Sequence, residues 1–253
     1  MKITKRVAIW GRVIYSLLAT FRGVRSDILD AEATANAILA GKSLIRFGDG
    51  EFGIYRAKDI HYQRWSPELK HEFDLIKERY ESDPNTCPYI LAVPRRFMTV
   101  SGLKLMKKRV YVSSWAESRL QFKKTFRRDI PYGDSFLFEK ANRDIYGRLW
   151  SKDTKFENVI FLHNSEECAE KFANTYGKNT VHIKCPPRDA YESVDRLEAE
   201  ILDVICANSW TPAGVCITIS AGPAGKVLVL RLSERGYHCI DSGHCWDDPL
   251  EGI

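Results

Sequence analysis

The first residues that could perform chemistry form the hexapeptide Arg46-Phe-Gly-Asp49-Gly-Glu51. It begins in a short apolar run, 43–47, which predicts a β-strand, and it continues into a turn. Asp49 and Glu51 flank a glycine, so their carboxylates could converge on one hard divalent cation, and Arg46 could neutralise a phosphate. Gly- and Asp-rich surface turns have similar sequences, and only the position at a strand end favours a metal site over such a turn.

A second group, Ser220-Ala-Gly222-Pro223-Ala224-Gly225-Lys226, also follows a predicted strand and opens a predicted helix. The N–H groups at a glycine-containing helix start suit anionic ligands such as phosphate. The group is not a P-loop, because the spacing differs and neither Ser nor Thr follows Lys226. Ordinary packing of a strand against a helix through small residues is the alternative interpretation.

A third group, Asp241-Ser-Gly-His244, closes the next predicted strand. A carboxylate and an imidazole at this position could bind a metal or a nucleotide, or transfer a proton, although a lone histidine is more often structural. The segment after Cys185-Pro-Pro could place Arg188 beside the same ligand, and His163-Asn164 ends another strand. Either segment could equally be a loop without a ligand.

The last hundred residues predict how these groups are positioned. Strand-like and helix-like patterns alternate there: strands at 158–162, 180–184, 214–220 and 237–241, and helices at 165–176, 190–208 and 223–235. Strands separated by helices of this length indicate right-handed crossovers and a mainly parallel sheet. Ligands bind such sheets at the carboxyl ends of the strands, which is where all three groups lie.

The first half of the chain is less regular. Ser26 could cap a helix that runs to about Ala40, Ser66-Pro67 opens a second helix to about Tyr80, and 89–93 predicts a buried strand. The aromatic and basic stretch 110–150 gives no clear pattern. We expect a single α/β domain, Rossmann-like with flanking helices, over residues 26–253.

Residues 1–25 contain basic residues and no acidic one. Their apolar residues, spaced by four and three, predict one stripe on a helix: Ile3, Val7, Trp10, Ile14, Leu17 and Phe21. This is the pattern of a basic amphipathic helix lying on an anionic membrane surface. A helix docked on this protein's own core, or on a second copy in a homodimer, fits the pattern about as well.

Composition limits the classes of function. The net charge of +5 over 253 residues does not indicate nucleic-acid binding. The seven cysteines form no CxxC pair, which favours a reducing compartment over a zinc site or a disulfide framework. No stretch has the apolar length of a membrane span. We expect a cytoplasmic protein, either soluble or peripheral on the inner face of the membrane.

Taken together, the three groups resemble the GT-D-fold glycosyltransferases, a bacterial family first described as a domain of unknown function. The resemblance covers about 43–247 and depends most on 46–51, on Ala221-Gly-Pro-Ala224 and on Ile240-Asp-Ser-Gly-His244. It implies a nucleotide-sugar donor and a divalent metal, Mn²⁺ or Mg²⁺, held by a DxE motif that Asp49 and Glu51 match. Gly48 and Gly50 would shape that turn.

The resemblance implies transfer of a hexose from a UDP-sugar to a cell-surface glycan. In this interpretation Asp241 and His244 complete the catalytic site, and Arg46, Gly222, Pro223, Ala224 and Arg188 help to bind the donor. The acceptor would be a lipid-linked oligosaccharide if residues 1–25 bind membrane; an adhesin-like glycoprotein is the other option. Two different classes of function stay open: a metal-dependent phosphohydrolase of nucleotide or sugar phosphates, and a non-catalytic sugar-nucleotide-binding module.

Overall fold

The computed structural model of the chain describes residues 2–107, 109–151 and 154–246; the side chains of 2–8, 109–110, 140, 244 and 246 lie outside the description. The helices are α1 (Lys2–Ala19), α2 (Ala31–Leu39), α3 (Asp49–Ile54), α4 (Pro67–Ser82), α5 (Arg95–Thr99), α6 (Gly102–Met106), α7 (Arg109–Thr125), α8 (Arg143–Trp150), α9 (Glu166–Tyr176), α10 (Val194–Ala207) and α11 (Gly222–Glu234). The strands are β1 (Ser43–Arg46), β2 (Tyr89–Val93), β3 (Gly133–Asp134), β4 (Asn158–His163), β5 (Asn179–Lys184), β6 (Val215–Ile219) and β7 (His238–Asp241). Short 3₁₀ turns cover Lys140–Asn142, Ala190–Ser193 and Gly243–Trp246.

These strands form one parallel sheet in the order β3-β2-β1-β7-β6-β4-β5. Strands β1, β2 and β3 follow one another outward on one side of the sheet. Strand β7, the last in the chain, lies beside β1 on the other side. Strands of different chain halves therefore meet at the centre, and such a meeting point leaves a crevice at the carboxyl ends of the strands. The expected α/β fold with a parallel sheet is confirmed.

Helices cover both faces of the sheet. Helices α2, α8 and α9 enclose one apolar cluster, and α3, α4, α7, α10 and α11 enclose the other. Every residue of β2 and of β6 is buried, as expected for parallel strands that are covered on both sides. These sequences are continuous apolar runs for that reason.

Two predicted helix starts are wrong. The helix expected from Ser26 begins at Ala31, where the side chain of Asp30 accepts a hydrogen bond from the Ala33 N–H and acts as the N-cap. The residues before it are extended, and Ile28 forms a bridge to Tyr132. The helix expected from Ala190 begins as a 3₁₀ turn, and α10 starts only at Val194. The unassigned stretch 110–150 contains most of α7, together with β3 and α8.

The expected N-terminal helix is present and packs on α7 of its own chain. Val13 and Leu17 are buried there, and the guanidinium of Arg119 donates a hydrogen bond to the carbonyl of Thr20. The predicted stripe is only partly correct, because Leu17 is buried whereas Ile14 and Phe21 are exposed. The side chains of Ile3 and Val7 lie outside the described residues.

None of the helices that the structure describes combines the length and the hydropathy that crossing a bilayer requires.

Candidate functional site

A cavity of about 480 Å³ opens at the carboxyl ends of the central strands. Arg46 ends β1, His163 ends β4, Ser220 follows β6 and Gly243 follows β7, and all four line the cavity. The volume is in the range of small-molecule sites. The sheet thus brings to one place the three groups that lie apart in the sequence.

Glu51 forms the acidic wall of this cavity. Helix α3 begins at Asp49 after the N-cap Gly48, and the Oε2 atom of Glu51 accepts a hydrogen bond from the Gly48 N–H at 2.7 Å. The side chain is held against the first turn of its own helix and is only 5% exposed as a residue. Its Oε1 atom lies 3.4 Å from Nζ of Lys226.

Lys226 joins Glu51 to the end of β7. It belongs to the second turn of α11 and is 5% exposed, and its Nζ lies 3.1 Å from Oδ2 of Asp241. Burial alone would lower the pKa of Lys226, but the attraction of Asp241 and Glu51 outweighs that effect and raises the pKa. The cavity floor therefore contains a permanent ammonium group between two carboxylates.

Arg46 holds Asp241 from the other side. The Arg46 backbone N–H donates to Oδ2 of Asp241 at 3.1 Å, and its Nε donates to the Asp241 carbonyl at 2.7 Å. Its guanidinium also donates to the carbonyl of Ser135 and lies over the ring of Phe138. Asp241 is fully buried, so its charge needs a partner, and both Lys226 and Arg46 contact it. Its Oδ1 atom accepts no hydrogen bond from a described residue, and Nη2 of Arg46 is 3.9 Å from it.

The start of α11 faces the cavity without a side-chain cap. Its N-cap is Ala221, and Gly222 has a φ of +53°, a conformation that favours glycine. A Cβ at Gly222 would lie 2.7 Å from the ring of Tyr62, so the backbone and this ring are in close contact. Repulsion by Glu51, followed by burial, raises the pKa of Tyr62 to about 12. First-turn N–H groups of a helix carry partial positive charge and suit a phosphate.

The opposite wall is aromatic. Phe136 and Phe138, from the segment after β3, line the cavity with Glu139. Phe138 stacks on Tyr146, and Phe136 packs edge-on against Phe97. The cavity is therefore charged at the strand ends and apolar on this side, a combination that could accept a ring next to a phosphate group.

The structure brings only some of the predicted site residues into the cavity. Arg46, Gly48, Glu51 and Gly222 line it, and Asp241 lies beneath its floor. Five predicted residues are not part of the lining: Asp49, Gly50, Pro223, Ala224 and Arg188. The backbone of His244 lies in the 3₁₀ turn after β7, and its side chain is outside the described residues.

Asp49 and Glu51 differ in their relation to the cavity. Both lie in the first turn of α3, and helical residues two apart do not share a face. Glu51 lines the cavity, whereas Asp49 is exposed overall. Desolvation in the crowded turn raises the pKa of Asp49, and repulsion from Glu51 adds to the rise. A cation near both carboxylates would relieve that repulsion.

The carboxylates near the cavity suit a metal that is bound jointly by the protein and by the phosphates of a ligand. They suit less well a metal that is bound by protein side chains alone. No cluster of three or more His, Cys, Asp or Glu side chains able to hold a metal occurs in the described part of the chain. Mg²⁺ and similar ions are commonly bound by one or two carboxylates together with substrate phosphates and water. Asp49 and Glu51 could supply those carboxylates, so the metal site stays a prediction.

Some lining residues were not predicted as part of the site. The sequence gives Lys226 no role beyond the departure from a P-loop, although a lysine directly before the apolar run Val227 to Leu230 is itself a signal for a buried functional group. Tyr62 comes from a loop without a motif. His163 was considered without a role; it lines the cavity, and its Nδ1 accepts a hydrogen bond from the Ser165 N–H at 2.9 Å.

Known proteins resemble this chain in sequence. The family described as "Glycosyltransferase GT-D fold" matches residues 170–248. A glycosyltransferase named GlyD from Streptococcus pneumoniae serotype 4 is 25% identical over 224 residues, which cover 80% of this chain. The chain spans about a quarter, 24%, of the length of that curated relative.

Solved structures resemble it over most of its length. A structure described as a new glycosyltransferase (DUF1792) from Streptococcus sanguinis has a TM-score of 0.70 at 23% identity, covering 89% of this chain and 84% of that one. A second, described as a domain of unknown function 1792 with a distinct glycosyltransferase fold, has a TM-score of 0.71 at 20% identity and covers 94% and 84%. The parallel sheet, its covering helices and these neighbours together show that the chain has the GT-D glycosyltransferase fold.

Proposed function

We propose that this protein is a glycosyltransferase that moves a hexose from a UDP-sugar to a cell-surface glycan. The observation that carries the proposal is the cavity where Arg46, Lys226 and the start of α11 meet at the carboxyl ends of the strands. The similarity to glycosyltransferases in sequence and in fold supports the enzyme class. The donor and the acceptor are inferred from the chemistry of the cavity and from the family resemblance.

The diphosphate of the donor fits the charged end of the cavity. Its oxygens could accept hydrogen bonds from the first-turn N–H groups of α11, near Gly222. Lys226 and Arg46 lie alongside and add positive charge. The two acidic partners, Glu51 and Asp241, hold these cations in place before the ligand binds. Such prearranged groups need little reorganisation when charge develops on the ligand.

In the reaction, the bond between the sugar's anomeric carbon and the diphosphate breaks, and the bonding electrons stay on the leaving phosphate oxygen. Lys226, Arg46 and the start of α11 stabilise that developing charge. A divalent metal held by Asp49, Glu51 and the donor's phosphates would supply further Lewis-acid stabilisation. An acceptor hydroxyl forms the new bond to the anomeric carbon, and its proton is released to solvent as UDP leaves. Asp241 is buried between two cations and contributes by positioning Lys226 and Arg46.

The apolar wall suits the remaining parts of the substrates. Phe136 and Phe138 present aromatic surface on which a uracil or a sugar ring could stack. We propose a lipid-linked oligosaccharide as the acceptor and the inner face of the cytoplasmic membrane as the place of reaction. An adhesin-like glycoprotein is the second acceptor class to be tested.

Calorimetric titration of UDP, with and without Mn²⁺, tests the donor site. The wild type should bind UDP more tightly with Mn²⁺ than without it. With Mn²⁺ present, Glu51→Gln should bind UDP at least tenfold more weakly than the wild type, a difference of about 1.4 kcal/mol. Glu167→Gln, an exposed carboxylate on α9, is the matched control and should bind like the wild type. If the wild type binds no nucleoside diphosphate under either condition, the donor assignment is wrong.

Product analysis distinguishes the reaction classes. Incubation with a radiolabelled UDP-hexose and lipid-linked acceptors should place label on the acceptor. Release of free sugar or phosphate without transfer would favour the metal-dependent phosphohydrolase. Metal-dependent UDP binding without any turnover on either acceptor class would favour the non-catalytic binding module.

A further inference from the structure

Exposed apolar side chains are concentrated in one part of the surface. Nine large hydrophobic residues are exposed among the described residues, and seven of them belong to α1, the turn after it and α6. These seven, here called the apolar patch, are Ile9, Ile14, Tyr15, Leu18, Phe21, Leu103 and Met106. Leu18 is 66% exposed and Leu103 is 65% exposed, although removing a leucine side chain from water is favourable. A patch of this kind marks an interaction surface.

The two segments of the apolar patch are held together by the fold. The N–H of Gly102 donates to the carbonyl of Phe21 at 2.6 Å, and the Phe21 ring packs directly over Gly102. Helices α1 and α6 both pack on α7. Lys123 on α7 donates to the carbonyl of Ala19 at the end of α1. The patch is therefore a preformed feature of the folded chain.

The two stretches of chain that contain the apolar patch have Lys and Arg as their only charged residues. Residues 1–26 and 95–116 contain twelve Lys and Arg and no Asp or Glu, whereas the rest of the chain contains 26 basic and 33 acidic residues. Arg22, Lys104 and Lys107 are exposed next to the apolar patch, and Nζ of Lys124 lies 6.0 Å from the ring centre of Tyr15. The small net charge of the protein thus conceals two basic segments in an otherwise acidic chain.

We infer that the apolar patch and its basic rim form a docking surface for an anionic lipid bilayer. Apolar side chains that enter the boundary of the acyl chains, with Lys and Arg at the level of anionic headgroups, are the physical requirements for such a surface. A second copy of this chain would bring an identical basic rim into contact with the first, and like charges would oppose that association. The inference depends on the surface alone and does not rest on the proposed function.

Vesicle co-sedimentation of the full chain tests this inference. The wild type should bind phosphatidylcholine vesicles that contain phosphatidylglycerol, and it should bind pure phosphatidylcholine at least tenfold more weakly. Binding should fall between about 0.1 M and about 1 M salt, because the Debye length falls from about 10 to about 3 Å. Loss of anionic binding at high salt separates headgroup attraction from nonspecific adsorption of apolar surface.

Two double variants, each with a control, separate the apolar contribution to vesicle binding from the electrostatic one. The change Leu18→Ser with Leu103→Ser should weaken binding at least tenfold, whereas Leu39→Ser, at an exposed leucine on α2, should leave it unchanged. The change Lys104→Glu with Lys107→Glu should weaken binding by about fivefold or more per residue. Lys155→Glu with Lys171→Glu, on the α9 side of the sheet, is the charge-reversal control. Thermal melting by circular dichroism verifies that each variant is folded.

Three results would overturn the inference. The first is equal binding of the wild type to neutral and anionic vesicles, and the second is unchanged binding by both patch variants. The third is a stable dimer in light scattering that Leu18→Ser with Leu103→Ser converts to a monomer, without vesicle binding by the wild type. That result would assign the apolar patch to self-association.

Discussion

Strand β7 buries an ionisable side chain at each of its two ends. At the carboxyl end, Asp241 is fully buried between Lys226 and Arg46. At the start, His238 is 8% exposed and stacks on Phe156, and its Nδ1 has no hydrogen-bond partner among the described residues. Burial lowers the pKa of His238 to about 4, and the charge of Lys155 adds to this effect.

The difference shows what a buried charge requires in this fold. The Asp241 carboxylate, 3.1 Å away, outweighs burial and raises the pKa of Lys226. Burial lowers the pKa of His238, which has no anionic partner among the described residues. In β7, the charged group therefore lies at the carboxyl end, beneath the cavity. The following changes test that contrast, beginning with the largest expected effect.

Lys226→Met should lower the free energy of unfolding by about 3–5 kcal/mol, because it leaves the carboxylates of Glu51 and Asp241 buried without their shared cation. Urea denaturation at neutral pH measures the loss. Lys171→Met removes an exposed ion pair with Glu167 and should cost less than about 1 kcal/mol. A loss below about 1 kcal/mol for Lys226→Met would show that the network adds little to stability.

His238 should make the protein sensitive to acid. Its folded pKa of about 4 lies below the ordinary value of 6.5, so between these pH values the unfolded chain binds a proton that the folded chain does not. Stability should fall by about 3 kcal/mol as pH decreases through that window. Urea denaturation of the wild type and of His238→Phe measures the contribution as a difference. Equal pH dependence in both proteins would contradict it.

Glu51→Gln should cost only about 1 kcal/mol of stability. The amide oxygen can still accept the Gly48 N–H, and Lys226 keeps its closer partner Asp241 at 3.1 Å. Comparison with Lys226→Met by urea denaturation shows whether the central cation matters more than the outer carboxylate. If Glu51→Gln and Lys226→Met lower the free energy of unfolding equally, Lys226 is no more important to this ion-pair network than Glu51.

Lys155→Ala should have the smallest effect. Lys155 is exposed near His238, and its positive charge is a secondary cause of the lowered pKa, after burial. Its removal should raise the pKa of His238 while leaving it below 6.5, as followed by NMR titration of the imidazole. Lys171→Ala should leave the titration unchanged. An unchanged His238 titration in Lys155→Ala would show that burial alone keeps this residue neutral.

The sequence predicted the second half of the fold more closely than the first. Strands β4 and β6 are apolar runs, and helices α9 and α10 between the strands of this half are amphipathic, so the two periodicities are distinct. In the first half, Asp30 caps α2 instead of Ser26, because a cap depends on where the chain leaves an extended segment and not on residue type alone. The stretch 110–150 is rich in aromatic residues that pack from several directions, so no single period is visible.

For the site, sequence motifs located the correct strand ends but only some of the residues that line the cavity. Arg46, Glu51 and Gly222 lie where the motifs placed them. Asp49 differs because the turn continues directly into a helix. Tyr62 could not have been found, since its contact with Gly222 joins positions 160 residues apart and neither lies in a pattern that refers to the other.

Gly243 is a position where the side chain of another residue leaves no space for a Cβ atom. Its φ is +56°, and a Cβ there would collide with the guanidinium of Arg46, which occupies that space while it holds Asp241. In divergent relatives, an arginine at position 46 should therefore coincide with glycine at position 243, and loss of either should accompany loss of the other. This paired constraint gives a criterion for recognising, in distant sequences, which chains retain the arrangement of this cavity.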